Sequence, residues 1–146
     1  MVTEKKFKTV AIIGGGLIGS SLAHSIRENH LCDNLKIFDS KADVRKKLKE
    51  IFSSQEIYEN LNETVTEADL VFLCVPVGSM RDVAKKISNL LKKGCILTDT
   101  GSTKNSVIKD IQPFIKEDVW FIPSHPLAGT ENSGPGAGFS ELFKGK

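Results

Sequence analysis

Apolar and polar positions along the chain alternate between two periods. TVAII at 9–13 is apolar and β-branched without alternation, the pattern of a strand buried on both faces. A helical stretch follows at 17–29, with Ile18, Leu22 and Ile26 at four-residue spacing. LKIFD at 35–39 reads as a second strand, followed by a lysine-rich helix to about Ile51. Residues 52–67 show no clear period, and only a short strand at 57–58 is read there. ADLVFLCV then supplies a buried strand ending at Val75. Ser79 with Asp82 has the form of a capping box. The helix it would open carries Met80, Val83, Ala84, Ile87, Leu90 and Leu91 as its apolar stripe and stops at Gly94. CILTD at 95–99 is the next strand. A helix from about Lys104 bears Val107, Ile108 and Ile111, and Pro113 must kink or end it. VWFIP at 119–123 is the last strand.

Strands alternating with helices predict an α/β fold: a doubly wound, mostly parallel sheet with right-handed crossovers and helices on both faces. The 146 residues suit one domain. From Ser124 the pattern stops. Residues 124–138 are rich in Gly, Pro and Ser, and only FSELF at 139–143 could form a helical turn. A loop of this length is functional or disordered.

Composition narrows the function. The net charge of +2 lacks the strong, clustered basic excess of a nucleic-acid surface. The lysine pairs at 5–6, 46–47, 85–86 and 92–93 read as solvated helix faces and an exposed N-terminus. Cys74 and Cys95 sit in apolar runs as small hydrophobes, and Cys32 falls in a polar turn. No cysteine pair has metal-ligand spacing, so no metal site and a reduced, cytoplasmic setting are expected. No signal peptide and no membrane-spanning run is read.

The first strand runs directly into GGGLIG, which supplies Gly14, Gly16 and Gly19 at G-x-G-x-x-G spacing before a helix. In such a loop the first glycine makes the tight turn, the second admits a pyrophosphate and the third allows close helix–strand packing. The helix start at Leu17 and Ile18 presents free N–H groups to the phosphates. Asp39, about 20 residues on at the end of the second strand, can accept hydrogen bonds from a ribose diol. Its charge would repel a 2′-phosphate, favouring NAD over NADP. The alternative for Asp39 is an N-cap of the next helix.

Ligands of a doubly wound sheet sit outside the carboxyl ends of its strands. Three of those ends stand out: VPVG, with Val75 and Pro76 as a small apolar turn for a nicotinamide, DTGSTK, and PSHPLAGTE. Histidine exchanges protons near neutral pH, so His125 is a candidate acid–base residue, and Ser102 on the neighbouring loop could orient its ring. Otherwise His125 merely caps the strand. His24 and His30, in and just after the first helix, carry no such reading.

VAIIGGGLIGSSLA, DLVFLCVPVG, DTGSTK and above all HPLAGTENSG resemble the prephenate and arogenate dehydrogenase family. The similarity runs from about Thr9 to Lys146. It implies a Rossmann-type NAD domain over 1–146, with 124–146 as active-site loop and tail. It also implies NAD-linked oxidative decarboxylation in tyrosine biosynthesis, of prephenate to 4-hydroxyphenylpyruvate or of arogenate to tyrosine. His125 would accept a hydrogen bond from the ring hydroxyl and Ser102 would hold both. Thr130 would lie close to the substrate, with Glu131 a polar gate. The family's helical, dimerising C-terminal domain is expected to be absent from this chain, and none of Arg27, Arg45 and Arg81 lies in a motif loop to clamp a dianion. The rival readings are a β-hydroxyacid or imine-reducing dehydrogenase and a non-catalytic NAD-binding module.

Overall fold

The structure is a computed structural model that describes residues 7–129 and 132–144. Its elements are β1 (Phe7–Ile13), α1 (Leu17–Glu28), β2 (Cys32–Phe38), α2 (Ala42–Ile51), β3 (Ile57–Tyr58), α3 (Leu61–Val65), β4 (Leu70–Leu73), α4 (Val77–Ile87), β5 (Ile96–Asp99), α5 (Lys104–Ile111) and β6 (Trp120–Ile122). The strands form one parallel sheet in the order β3-β2-β1-β4-β5-β6. The chain therefore winds outward from β1 in one direction, returns, and winds outward from β4 in the other. The reversal between β1 and β4 is the point where such sheets open a crevice.

Both faces of the sheet are covered, which explains the unbroken apolar run of β1. Val10 and Ile12 join Ala23, Ile26, Ile37 and Leu48 under α1 and α2. Ala11 and Ile13 join Leu73, Met80, Ala84, Ile87 and Ile111 under α4 and α5. Alternate residues of one strand thus feed two cores. Each fully buried aliphatic side chain among them contributes about 1.5–3 kcal/mol.

Register places the functional loops. Ile13 pairs with Phe38 on one side and Leu73 on the other, and Leu73 pairs with Asp99. Four strands therefore end in one row, so Asp39, Gly14, Cys74 and Thr100 leave the sheet side by side.

Several sequence expectations shift. Cys32 opens β2, paired with Phe7, rather than lying in a turn. The polar residues beside it, Asp33 and Asn34, are exposed, and among the described residues β3 pairs with β2 at Ile37 and Phe38. Ser79 does not cap α4. The helix starts three residues earlier with Pro76 at the N-cap, φ −54°, and no side-chain cap; the Ser79 N–H donates to the Pro76 carbonyl at 2.8 Å. Proline's fixed φ and missing N–H suit a helix start, and Val77 packs on the core as the turn begins. The same helix ends at Ile87, where a tight turn (Leu90 N–H to Ile87 carbonyl, 2.8 Å) takes over. Gly94, φ +83°, instead makes the turn into β5. β4 stops at Leu73; past it the Cys74 N–H donates to the Ile13 carbonyl at 2.7 Å and the Thr100 N–H to the Leu73 carbonyl at 3.2 Å.

Pro113 ends α5 as expected, with a 3-10 turn over Gln112–Phe114, and FSELF supplies another over Ser140–Phe143. α3 was not anticipated. It is only five residues long, and its start is marked by Asn60, whose side chain accepts the N–H groups of Asn62 and Glu63. Among the described residues no helix is long and apolar enough to cross a membrane, and no cluster of His, Cys, Asp and Glu could hold a metal ion.

Candidate functional site

The glycine loop is built as its three glycines require. The Gly14 N–H donates to the Phe38 carbonyl at 2.8 Å, and the residue then turns at φ +104°, where a Cβ would lie 2.6 Å from the Cys74 carbonyl oxygen. A Cβ on Gly19 would lie 1.8 Å from the Gly14 carbonyl oxygen, so α1 can approach the loop only with glycine there. Gly16 differs, since a Cβ there meets nothing within 4 Å. It is the N-cap of α1, which has no side-chain cap and no acidic residue in its first turn. The N–H groups of that turn are left for a ligand, and the helix dipole favours an anion. Open space at Gly16 beside an uncapped helix start fits a pyrophosphate.

These features line a cleft of about 1170 Å³. Gly14, Gly16, Leu17, Ile18, Asp39, Val75 and Pro76 all face it, as does Ser102. Gly19 instead acts from beneath the loop. Asn60, Leu61 and Asn62 around the start of α3 also line the cleft without any binding motif to announce them, and Gly134 and Pro135 line it from within the 124–146 stretch expected as active-site loop and tail. The asparagine cap was the available signal for the first group.

Asp39 does more than face the cleft. Its Oδ2 accepts the Gly15 N–H at 2.9 Å and its Oδ1 accepts the Lys41 N–H at 2.9 Å, while the Arg45 guanidinium donates to its carbonyl at 2.7 Å. It is not the cap of α2, whose N-cap is Lys41. Each carboxylate oxygen keeps a further lone pair for a ribose hydroxyl. At the cleft mouth, Glu59 is held below the usual carboxyl range by hydrogen bonds from Lys49 and Arg45. Burial pushes the Cys74 thiol up to about 12, so it serves as an apolar wall.

On the β5–β6 side, Asp99 is fully buried. Its Oδ2 accepts the Gly101 N–H at 2.8 Å and bonds the Lys104 ammonium; its Oδ1 accepts the Ser124 N–H at 3.1 Å. Lys104 also donates to the Ser124 carbonyl, and the Thr98 hydroxyl donates to the Ile122 carbonyl at 2.7 Å. Ser102 and His125, each one residue beyond these anchors, are both exposed. No hydrogen bond joins them among the described residues, and His125 does not line the cleft. Thr130 and Glu131 lie outside the described residues. The tail then packs on α1. The Phe139 N–H donates to the Ser21 hydroxyl at 3.1 Å, Leu142 is buried, and Pro135 reaches the cleft.

A parallel sheet that reverses beside a glycine loop, with an uncapped helix start and an acid after β2, defines a dinucleotide-binding domain. The family model for "Prephenate dehydrogenase, nucleotide-binding domain" matches residues 22–146, and the chain belongs to that family. It is 45% identical over 138 residues to a cyclohexadienyl dehydrogenase of Zymomonas mobilis, covering 94% of this chain and 47% of that protein. It is 35% identical over 142 residues to a prephenate dehydrogenase of Lactococcus lactis, covering 94% and 39%. Among solved structures, prephenate dehydrogenase from A. aeolicus in complex with hydroxyphenyl propionate and NAD+ superposes with a TM-score of 0.86 at 28% identity, covering 99% of this chain and 50% of that one. Arogenate dehydrogenase from Synechocystis gives 0.79 at 26% identity, covering 92% and 46%. The chain thus spans half or less of the length of these relatives.

Proposed function

We propose that this chain is the NAD-binding part of an enzyme that oxidatively decarboxylates prephenate to 4-hydroxyphenylpyruvate in tyrosine biosynthesis. The observation that carries the reading is the cleft itself, where an open Gly16, an uncapped α1 and Asp39 meet the loop that bears Ser102. Family membership supplies the substrate class. Arogenate is the second reading, favoured by the likeness to the Synechocystis enzyme.

NAD, when bound, takes the hydride from the ring carbon that carries the hydroxyl. Leu17, Ile18 and the Gly16 backbone hold its pyrophosphate, Asp39 its ribose, and Val75 and Pro76 give the nicotinamide an apolar face. His125 accepts the hydrogen bond of the substrate hydroxyl as the C–O bond gains carbonyl character. The ring carboxylate leaves as carbon dioxide, its bonding pair completes the aromatic ring, and the proton shared with His125 stays with the phenol. Ser102 orients the hydroxyl, and Thr130 and Glu131 border the substrate.

None of the three arginines lines the cleft as a clamp for the substrate carboxylates. Arg45 is bound to Glu59, Arg81 stacks over Phe114 at 5.2 Å, and Arg27 sits in the last turn of α1. A helical, dimerising domain of the kind the family resemblance implies would supply it. This is why the whole-length protein is the one to assay, and the cytoplasm is the expected setting.

The test is turnover of prephenate and of arogenate by that protein with NAD, before and after His125→Asn. The expected result is a loss in kcat of about 10²–10⁴-fold, the range of a positioned acid–base group, with NAD affinity retained. Turnover unchanged by the substitution would overturn the reading, and the ratio of kcat/KM for the two substrates decides between them.

A further inference from the structure

The carboxylate of Asp99 is shared between two loops that carry different candidate residues. Gly101, whose N–H it accepts at 2.8 Å, precedes Ser102; Ser124, whose N–H it accepts at 3.1 Å, precedes His125. Lys104 closes the arrangement by bonding both Asp99 and the Ser124 carbonyl. The fit is close, because a Cβ on Gly101 would lie 3.1 Å from Asp99 Oδ2 and 2.8 Å from the Val107 side chain.

A buried ion pair is weak evidence for stability, since desolvation offsets much of its attraction. What this pair does supply is geometry. Two backbone N–H groups from separate strand ends converge on two oxygens of one rigid group, and neither loop can shift without leaving a buried charge short of a donor. We infer that Asp99 is a positioning residue, with Lys104 as its counter-ion, that fixes Ser102 and His125 relative to each other across the β5–β6 edge.

This inference rests on the dehydrogenase reading above, and it makes Asp99 matter through His125 rather than by touching substrate. Asparagine at 99 has nearly the same size but one acceptor atom instead of two, so one of the two N–H groups would face an amide N–H₂. A displacement of the order of 1 Å in such a loop can cost about 10²-fold in rate.

The experiment is a double-mutant cycle of Asp99→Asn and His125→Asn in the whole-length protein, reading kcat, KM and NAD affinity, with folding checked by thermal melts. Asp99→Asn should lower kcat at least about tenfold while changing NAD affinity less than about twofold. In that background His125→Asn should cost less than about tenfold, against the about 10²–10⁴-fold expected in the parent. Equal factors in the two backgrounds would mean that Asp99 serves the fold alone and would overturn the inference. If Asp99→Asn fails to fold, the pair Asp99→Asn with Lys104→Gln, which leaves no buried charge, replaces it in the same cycle. No loss from His125→Asn in the parent would instead remove the dehydrogenase reading itself, and the inference with it.

Discussion

The Asp39 carboxylate accepts the backbone N–H of Gly15 at 2.9 Å, across 24 positions of sequence. The residue expected to select the ribose therefore also holds the middle of the loop expected to bind the pyrophosphate. The two halves of a dinucleotide site are joined through one side chain. Replacing Asp39 by Ala should weaken NAD binding at least about tenfold and also speed hydrogen exchange at the Gly15 amide, because a charge-assisted bond to that N–H is worth about 1.5–3 kcal/mol. Weakened binding with unchanged exchange at Gly15 would mean that Asp39 acts on the ribose alone.

The glycines separate fold from binding. Gly19→Ala drives a Cβ to 1.8 Å from a backbone carbonyl oxygen and should cost about 1–3 kcal/mol or more, lowering Tm by several degrees. Gly16→Ala enters open space and should leave Tm nearly unchanged while reducing NAD affinity, since the methyl occupies the path of the pyrophosphate. Melting curves and NAD titrations of the two variants check the contrast. Equal melting losses would contradict it.

Acid and alkaline stability should depend in part on an ion pair away from the cleft. Asp69 bonds Lys92 at 2.6 Å and accepts the N–H groups of Lys8 and Thr9, tying the start of β1 to the turn before β5. The bond from Lys92 is the main cause of the lowered Asp69 carboxyl, and the same bond raises Lys92. A depressed carboxyl stabilises the fold above its unfolded value of 3.8, and that contribution is lost as pH falls through the lower folded value. A raised lysine stabilises the fold below its unfolded value of 10.5, and that contribution is lost as pH rises through the higher folded one. Asp69→Asn should therefore lower Tm at pH 7, and the difference from the parent should shrink below about pH 3.8. A Tm difference that does not change with pH would rule out the charge as its source.

The double winding was legible because every long element carries a strong period, and strands buried on both faces read as unbroken apolar runs. The glycine loop was legible because its spacing is dictated by covalent geometry at Gly14 and Gly19. What escaped was short or tertiary. α3 has five residues, too few for a period, and only the Asn60 cap marks it. Ser79 and Asp82 matched a capping pattern that the fixed φ of Pro76 pre-empted. Asp99 ends CILTD and opens the DTGSTK loop, with nothing in that stretch to name its partners. Its role depends on Gly101, Lys104 and Ser124, brought together only when β5 and β6 lie side by side. His125 was singled out from its neighbours in sequence, and the structure leaves it exposed on an anchored loop, outside the cleft lining and without a hydrogen bond to Ser102 among the described residues.

The most direct measurement is a calorimetric titration of this chain with NAD and, separately, with NADP. Saturable binding of one NAD per chain is expected, with NADP weaker by at least about tenfold because the Asp39 carboxylate opposes a 2′-phosphate. Equal or tighter binding of NADP would contradict the role given to Asp39. Failure of both dinucleotides to bind would contradict the assignment of the cleft.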